Sequence, residues 1–210
     1  MCLETYIDFK DACSWEDWEK EKVLESFCIM LENYLTHCIN EGYVTLVSTS
    51  DLWDSFSAGF KHTDIFTPLR DLLFKSTIKK WPFVRCHGDF IPRNVLLTTE
   101  GCYIIDWEHS NPNLFFYDIF HFINFEAVTR NDYYLLESYF GGRYDNVLER
   151  LFEIVDIPYT KQEKAIYLVL CILQRLSLHN LKPGTRYSLP WLDLAHYVLN
   201  KYAVIDKHTV

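Results

Sequence analysis

The chain has 210 residues and a mass of 25.0 kDa, enough for one domain with a sizeable core. Hydrophobic residues make up 49%, charged residues 23%, and only 7 Gly and 7 Pro occur, which excludes a disordered, collagen-like or low-complexity chain. The net charge of -9, from 20 Lys and Arg against 29 Asp and Glu, repels a phosphate backbone and argues against general nucleic-acid binding.

The first predicted element is a helix over 15–38. Ser14 and Asp17 form a capping box with Asp in place of Glu, and Leu24, Phe27, Cys28, Leu31, Leu35 and Cys38 follow at spacings of three and four. Residues 1–40 hold nine acids and three bases, a surplus that serves either a cationic partner or a solvated helix face. A short strand over 42–47 and helices over 51–60 and 68–80 come next, the last beginning on Pro68. Beyond residue 115 the pattern is helical over 117–127, 131–140, 143–153, 161–180 and 190–203. The breaks there fall at Gly141-Gly142, Ile157-Pro158 and Lys182-Pro183-Gly184. The longest apolar run, 165–173, is nine residues, whereas a bilayer crossing takes about 20, so it reads as a buried helix and not a membrane span. Seven cysteines occur without a CxxC pair. Their odd number and the absence of a secretory leader after Met1 point to reduced thiols in the cytoplasm.

The clear β signal is 83–108. Residues 94–98 (NVLLT) and 102–106 (CYIID) are β-rich runs separated by Thr99, Glu100 and Gly101, a loop whose glycine suits the left-handed position of a bulged hairpin. Pairing Thr98 with Cys102 gives a register in which partner numbers sum to 200, so Asn94 faces Asp106 on one side of the ribbon. An amide and a carboxylate there are hard oxygen ligands of the kind Mg²⁺ takes one or two of, leaving its other positions to water and phosphate. Asp89 lies just ahead, in the loop His87-Gly88-Asp89-Phe90-Ile91-Pro92-Arg93-Asn94. A carboxylate in that place can accept the proton of a substrate hydroxyl, or orient it, during attack on phosphorus. Arg93 is a candidate either for a phosphate contact or for an ion pair with a neighbouring acid, and Glu108 either for the metal or a cationic substrate or for a loop anchor. Trp107 is expected to pack behind the metal site. Neither a GxSxG elbow nor a GxxxxGK[ST] loop is present.

HGDFIPRN at 87–94, IIDWE at 104–108 and the FYDIFH run at 116–121 resemble the aminoglycoside phosphotransferase and choline kinase family of the protein-kinase-like fold. The resemblance implies Asp89 as catalytic acid and Asn94 and Asp106 as metal ligands. It also implies that His87 holds the loop through hydrogen bonds and that Asp118 braces it. The implied cofactors are Mg²⁺ and ATP or GTP, and the implied partners are the nucleotide and a small-molecule hydroxyl substrate: a sugar, amino sugar or amino alcohol. The expected fold is α+β and mainly α: a kinase-like C-terminal lobe, a helical bundle around a small β-hairpin carrying the catalytic loop. It runs over 1–210 as a helical segment to 82, the loop and metal hairpin at 83–108, and a second helical segment. The family's N-terminal lobe, with its strand-borne lysine and glycine-rich loop, has no counterpart in the first 86 residues, where the only glycines are Gly42 and Gly59. The expectation is therefore a truncated phosphotransferase, completed in one case by a separate N-lobe polypeptide. The alternative is a kinase-like remnant that binds a ligand or partner without turnover.

Overall fold

The computed structural model describes residues 8–60, 66–178 and 185–203. They form eight helices, α1 (Asp17–Asn40), α2 (Thr49–Phe60), α3 (Phe66–Lys75), α4 (Tyr117–Arg130), α5 (Tyr134–Phe140), α6 (Asp145–Ile154), α7 (Lys164–Leu178) and α8 (Leu189–Tyr202). There are five strands: β1 (Thr45–Ser48), β2 (Lys80–Cys86), β3 (Val95–Leu97), β4 (Cys102–Ile104) and β5 (Asn111–Leu114). The protein is α+β and mainly helical, as the sequence pattern indicates.

The helix pattern places α1 well, and all six of its predicted apolar positions are buried. Its cap differs. Glu16 is the N-cap and exchanges hydrogen bonds with Glu19, while Ser14 closes a separate short 3₁₀ turn, Ala12–Ser14. The predicted helix over 68–80 stops at Lys75, and 80–82 open strand β2. Pro82 there pairs across to Leu46. Helical spacing in the apolar residues carried the expectation too far, because β2 needs both neighbours to exist. It is the middle strand of the antiparallel sheet β1-β2-β5, with Val84 opposite Asn113 and Cys86 opposite Asn111. Strand β5 lies beyond the predicted 83–108 boundary. It is a four-residue strand of Asn, Pro, Asn and Leu, a composition poor in strand formers that becomes a strand by pairing at a sheet edge. The break at 182–184 falls outside the described residues.

The core centres on α7 and α4. Residues 164–174 of α7 are all buried, as are 117–124 of α4, the burial expected of helices that are apolar all round. Gln174 of α7 hooks onto β5, donating to the Asn113 side chain at 3.0 Å and accepting from Leu114 N–H at 3.4 Å. No helix among the described residues is long and apolar enough to cross a membrane. The six described cysteines are free, and burial pushes the Cys86 thiol, next to His87, well above its ordinary value, so it offers no ready nucleophile.

Candidate active site

The loop 87–94 leaves the central strand β2 and enters β3, so it links the two sheets. Its opening is held by Asp118, in the first turn of α4. One carboxylate oxygen accepts from His87 N–H at 2.7 Å and the other from Gly88 N–H at 2.9 Å. His87 ties the loop on: its Nδ1 accepts from Asp89 N–H at 3.3 Å, which leaves Nε2 to donate to the Ile105 carbonyl at 2.8 Å. Gly88 has φ +86°, and a Cβ built on it would lie 2.2 Å from the His109 carbonyl oxygen. Phe90 wedges the loop into the core, stacked on Phe27 of α1 at 4.0 Å and packed on Phe122 of α4 at 5.1 Å.

Burial pushes the Asp118 carboxyl up to about 6, against the pull of the two backbone N–H groups. An unfolded Asp titrates near pH 3.9, so between that value and about 6 the native chain keeps a proton that the unfolded chain has released. The contribution of this group to stability therefore falls as pH rises through the window. Asp118→Ala would strand two buried N–H donors, at an expected cost of about 2–4 kcal/mol. Urea unfolding of wild type and variant should show that loss, and the gap between them should narrow from pH 4.5 to about pH 6.5. A gap that widened with pH would contradict this account of the brace.

Asp89 is the best-held side chain of the loop. Asn94 Nδ2 donates to the Asp89 carbonyl at 2.8 Å and to its Oδ2 at 3.2 Å. On the other side Oδ1 faces two groups at 3.3 Å, Nη1 of Arg175 from α7 and Nε2 of His121 from α4. Burial alone would raise this carboxyl, yet His121 and Arg175 outweigh it and hold it well below the usual carboxylate range. Neither residue was a candidate from the sequence. His121 was visible only as the end of the FYDIFH run, where its period along α4 gives it the face of Tyr117. Arg175 carried the fainter signal of a charge at the end of an otherwise apolar helix.

The two expected metal ligands are placed differently from the sequence reading. The hairpin pairs Val95 with Ile104, Leu96 with Tyr103 and Leu97 with Cys102, a register one residue short of the expected one. Thr98 N–H donates to the Gly101 carbonyl and its hydroxyl accepts from Glu100 and Gly101 N–H, so the loop takes in Thr98. Gly101 has φ +157°, not a left-handed turn value. Asn94 consequently lies across from Ile105, whose N–H donates to its carbonyl at 3.0 Å, and not from Asp106. Asp106 follows in a left-handed conformation, φ 66° and ψ 60°, which redirects its exposed side chain at the strand end. A non-glycine residue held there costs about 1 kcal/mol, the kind of strain that persists at functional sites.

The supporting candidates separate clearly. Arg93 is exposed and makes no ion pair among the described residues, so the neighbouring-acid role has no support. Glu108 is exposed and lies 3.4 Å from His109 Nε2, a surface contact and not a loop anchor. Trp107 does not pack behind a buried site: it is half-exposed, with its ring edge on His87 at 4.6 Å and its Nε1 donating to Ile104. With Phe27, Leu31, Tyr34 and Cys86 it lines an apolar cavity of about 360 Å³ beside the loop.

Asn94 spends both its observed amide donations on Asp89, which leaves its oxygen for a cation, and the exposed Asp106 carboxylate is a second hard donor. Among the described residues no group of three or more His, Cys, Asp or Glu could hold a metal ion. A two-oxygen protein set is the chemistry that Mg²⁺ accepts when phosphate and water complete its shell.

Residues 55–150 match the family model described as the phosphotransferase enzyme family, APH, the family that the HGD loop and the strand ending in Asp106 resemble. The matched stretch runs from α2 into α6 and contains the loop, the hairpin, Asp118 and His121, so the candidate site lies within the part of the chain that is similar to this phosphotransferase family. No curated protein matches the chain.

Proposed function

We propose that the protein transfers the terminal phosphoryl group of ATP or GTP, with Mg²⁺, to a hydroxyl of a small molecule such as a sugar, amino sugar or amino alcohol. The observation that carries this reading is Asp89. It is the one loop carboxylate gripped from three sides and still 18% exposed, and it sits within the stretch that matches the phosphotransferase family. Asp89 remains ionised at neutral pH and accepts a hydrogen bond from the acceptor hydroxyl, orienting its lone pair toward the phosphorus. As the new oxygen–phosphorus bond forms and the bond to the bridging oxygen of the nucleoside diphosphate breaks, the hydroxyl proton passes to Asp89 and on to solvent. Asn94 and Asp106 are the residues to hold the metal, which supplies charge neutralisation on the phosphates. Asp118 and His87 keep the loop in place, and the exposed Arg93 is free to meet a phosphate. Glu108 is the remaining candidate for a cationic acceptor or the metal.

Among the described residues before His87 the strands are β1 and β2, and the lysine they carry, Lys80, is the exposed first residue of β2, opposite Ser48 at the sheet end. In this reading the described residues correspond to a kinase-like C-terminal lobe. The other wall of the nucleotide site then comes from a separate N-lobe polypeptide. One observation favours the alternative of a binding module without turnover: both oxygens of Asp89 already have protein partners.

Mn²⁺ can stand in for Mg²⁺, and its binding with and without ATP can be followed by electron paramagnetic resonance. Asn94→Ala and Asp106→Asn should each weaken the ternary complex at least tenfold, about 1.4 kcal/mol. Phosphoryl transfer to a panel of alcohols is read in parallel. Tight Mn-ATP binding with no transfer would favour the binding module, and no binding at all would remove the nucleotide from the proposal.

A further inference from the structure

Resting on the reading of Asp89 as the group that meets the acceptor hydroxyl, we propose that Arg175 is the positioning residue of this site, fixing the Asp89 carboxylate from α7. Arg175 lies outside residues 55–150, so the family match does not assign it.

The case begins with where the residue stands. Residues 164–174 of α7 are buried without exception, and a guanidinium in the next position must satisfy its charge inside the protein. Arg175 is only 16% exposed, and among the described residues its one ion pair is with Asp89, Nη1 to Oδ1 at 3.3 Å. No other carboxylate among the described residues pairs with it. The buried Lys20 and Lys164 pair instead with Glu126 and Asp145, away from the loop.

The geometry fixes direction as well as charge. The same Nη1 lies 2.8 Å from His121 Nε2, so Arg175, His121 and Asp89 Oδ1 form one close cluster in which the guanidinium is the group of fixed positive charge. Its central carbon lies over the Trp191 ring of α8, 4.9 Å from the centroid, and Trp191 in turn stacks on His121 at 5.8 Å. A planar cation resting on one ring and hydrogen-bonded at its edge to a second holds one orientation, which a flexible lysine ammonium does not. With Asn94 on Oδ2, this closes off rotation of the carboxylate from both ends. Holding a reacting group in place can be worth as much as the group itself, since a displacement of about 1 Å can cost about 100-fold in rate.

The test compares Arg175→Met, which keeps an unbranched helix-compatible stem, with Arg175→Lys, which keeps the charge and loses the planar fork. Arg175→Met should lower kcat about 30- to 100-fold with the KM for Mg-ATP unchanged within about twofold, and Arg175→Lys should recover only a minor part. Circular dichroism and a melting curve confirm that both variants fold. A folded Arg175→Met with wild-type kcat overturns the proposal while leaving the phosphotransferase reading intact, and so does full recovery by Arg175→Lys. If wild type itself transfers no phosphoryl group, the functional reading has failed. Positioning is then judged from crystal structures: an Asp89 Oδ1 displaced by about 1 Å or more in Arg175→Met supports it, and an unmoved carboxylate overturns it.

Discussion

Asp89→Ala is expected to remove phosphoryl transfer and leave the chain folded. The side chain sits at the mouth of the site, 18% exposed, and belongs to the polar rim, not the core. Its loss deprives Arg175 of a counter-ion, but the guanidinium keeps its stacking on Trp191 and its donation to His121, so the bundle retains its shape. A positioned base and orienting group contributes about 10²- to 10⁴-fold to rate, and that is the expected fall in kcat. Asp89→Asn should be no milder. Its amide nitrogen would face either Asn94 Nδ2 or Arg175 Nη1, both donors, so the isosteric variant loses the polar match as well as the base. Turnover with Mg-ATP and an alcohol acceptor, read beside a melting curve, separates these effects. Equal activity in wild type and both variants would end the assignment of Asp89.

Gly88→Ala should be the most damaging single-methyl change in the loop. The new Cβ would meet the His109 carbonyl oxygen at 2.2 Å, a backbone atom that cannot swing aside, and φ +86° adds the left-handed penalty. Relief requires moving either the loop or the turn at 107–109. Moving the loop breaks the hydrogen bonds from His87 and Gly88 to Asp118, and moving the turn shifts the strand end that carries Asp106. Overpacking of this kind costs about 1–3 kcal/mol and the left-handed alanine about 1 more. The unfolding midpoint in urea should drop accordingly, with activity falling further than stability because the Asp89 geometry is lost first. A Gly88→Ala protein of native stability and turnover would show that the loop does not need this close approach. Gly42 offers a control: it too has positive φ, +71°, but nothing lies within 4 Å of its virtual Cβ, so an alanine there meets only the backbone penalty.

Local pattern made much of this legible. The spacing of Leu24, Phe27, Cys28, Leu31, Leu35 and Cys38 reports a buried helix face because 3.6-residue periodicity belongs to the chain itself, and all six are buried. The loop from His87 to Asn94 and the brace at Asp118 were legible for another reason. They serve one short stretch of backbone, and the residue types it demands recur together: Gly88 for its positive φ, and an acid to receive two N–H groups. Hairpin register failed by one residue because it is set by how the turn closes. The Thr98 hydroxyl, capturing two loop N–H groups, enlarged the turn in a way that apolar alternation does not encode.

The sequence by itself determined which segments are helical, where the ribbon lies, and that an acid-bearing loop with an amide five residues on precedes it. Only the tertiary structure decided what that acid faces. Arg175 stands 86 positions from Asp89 and His121 stands 32 away, and each arrives at Oδ1 because α7 packs against α4 beneath the loop. No local periodicity records such a meeting. It arises from the burial of two apolar helices against each other, which brings one charged residue near the end of α7 to the carboxylate of Asp89.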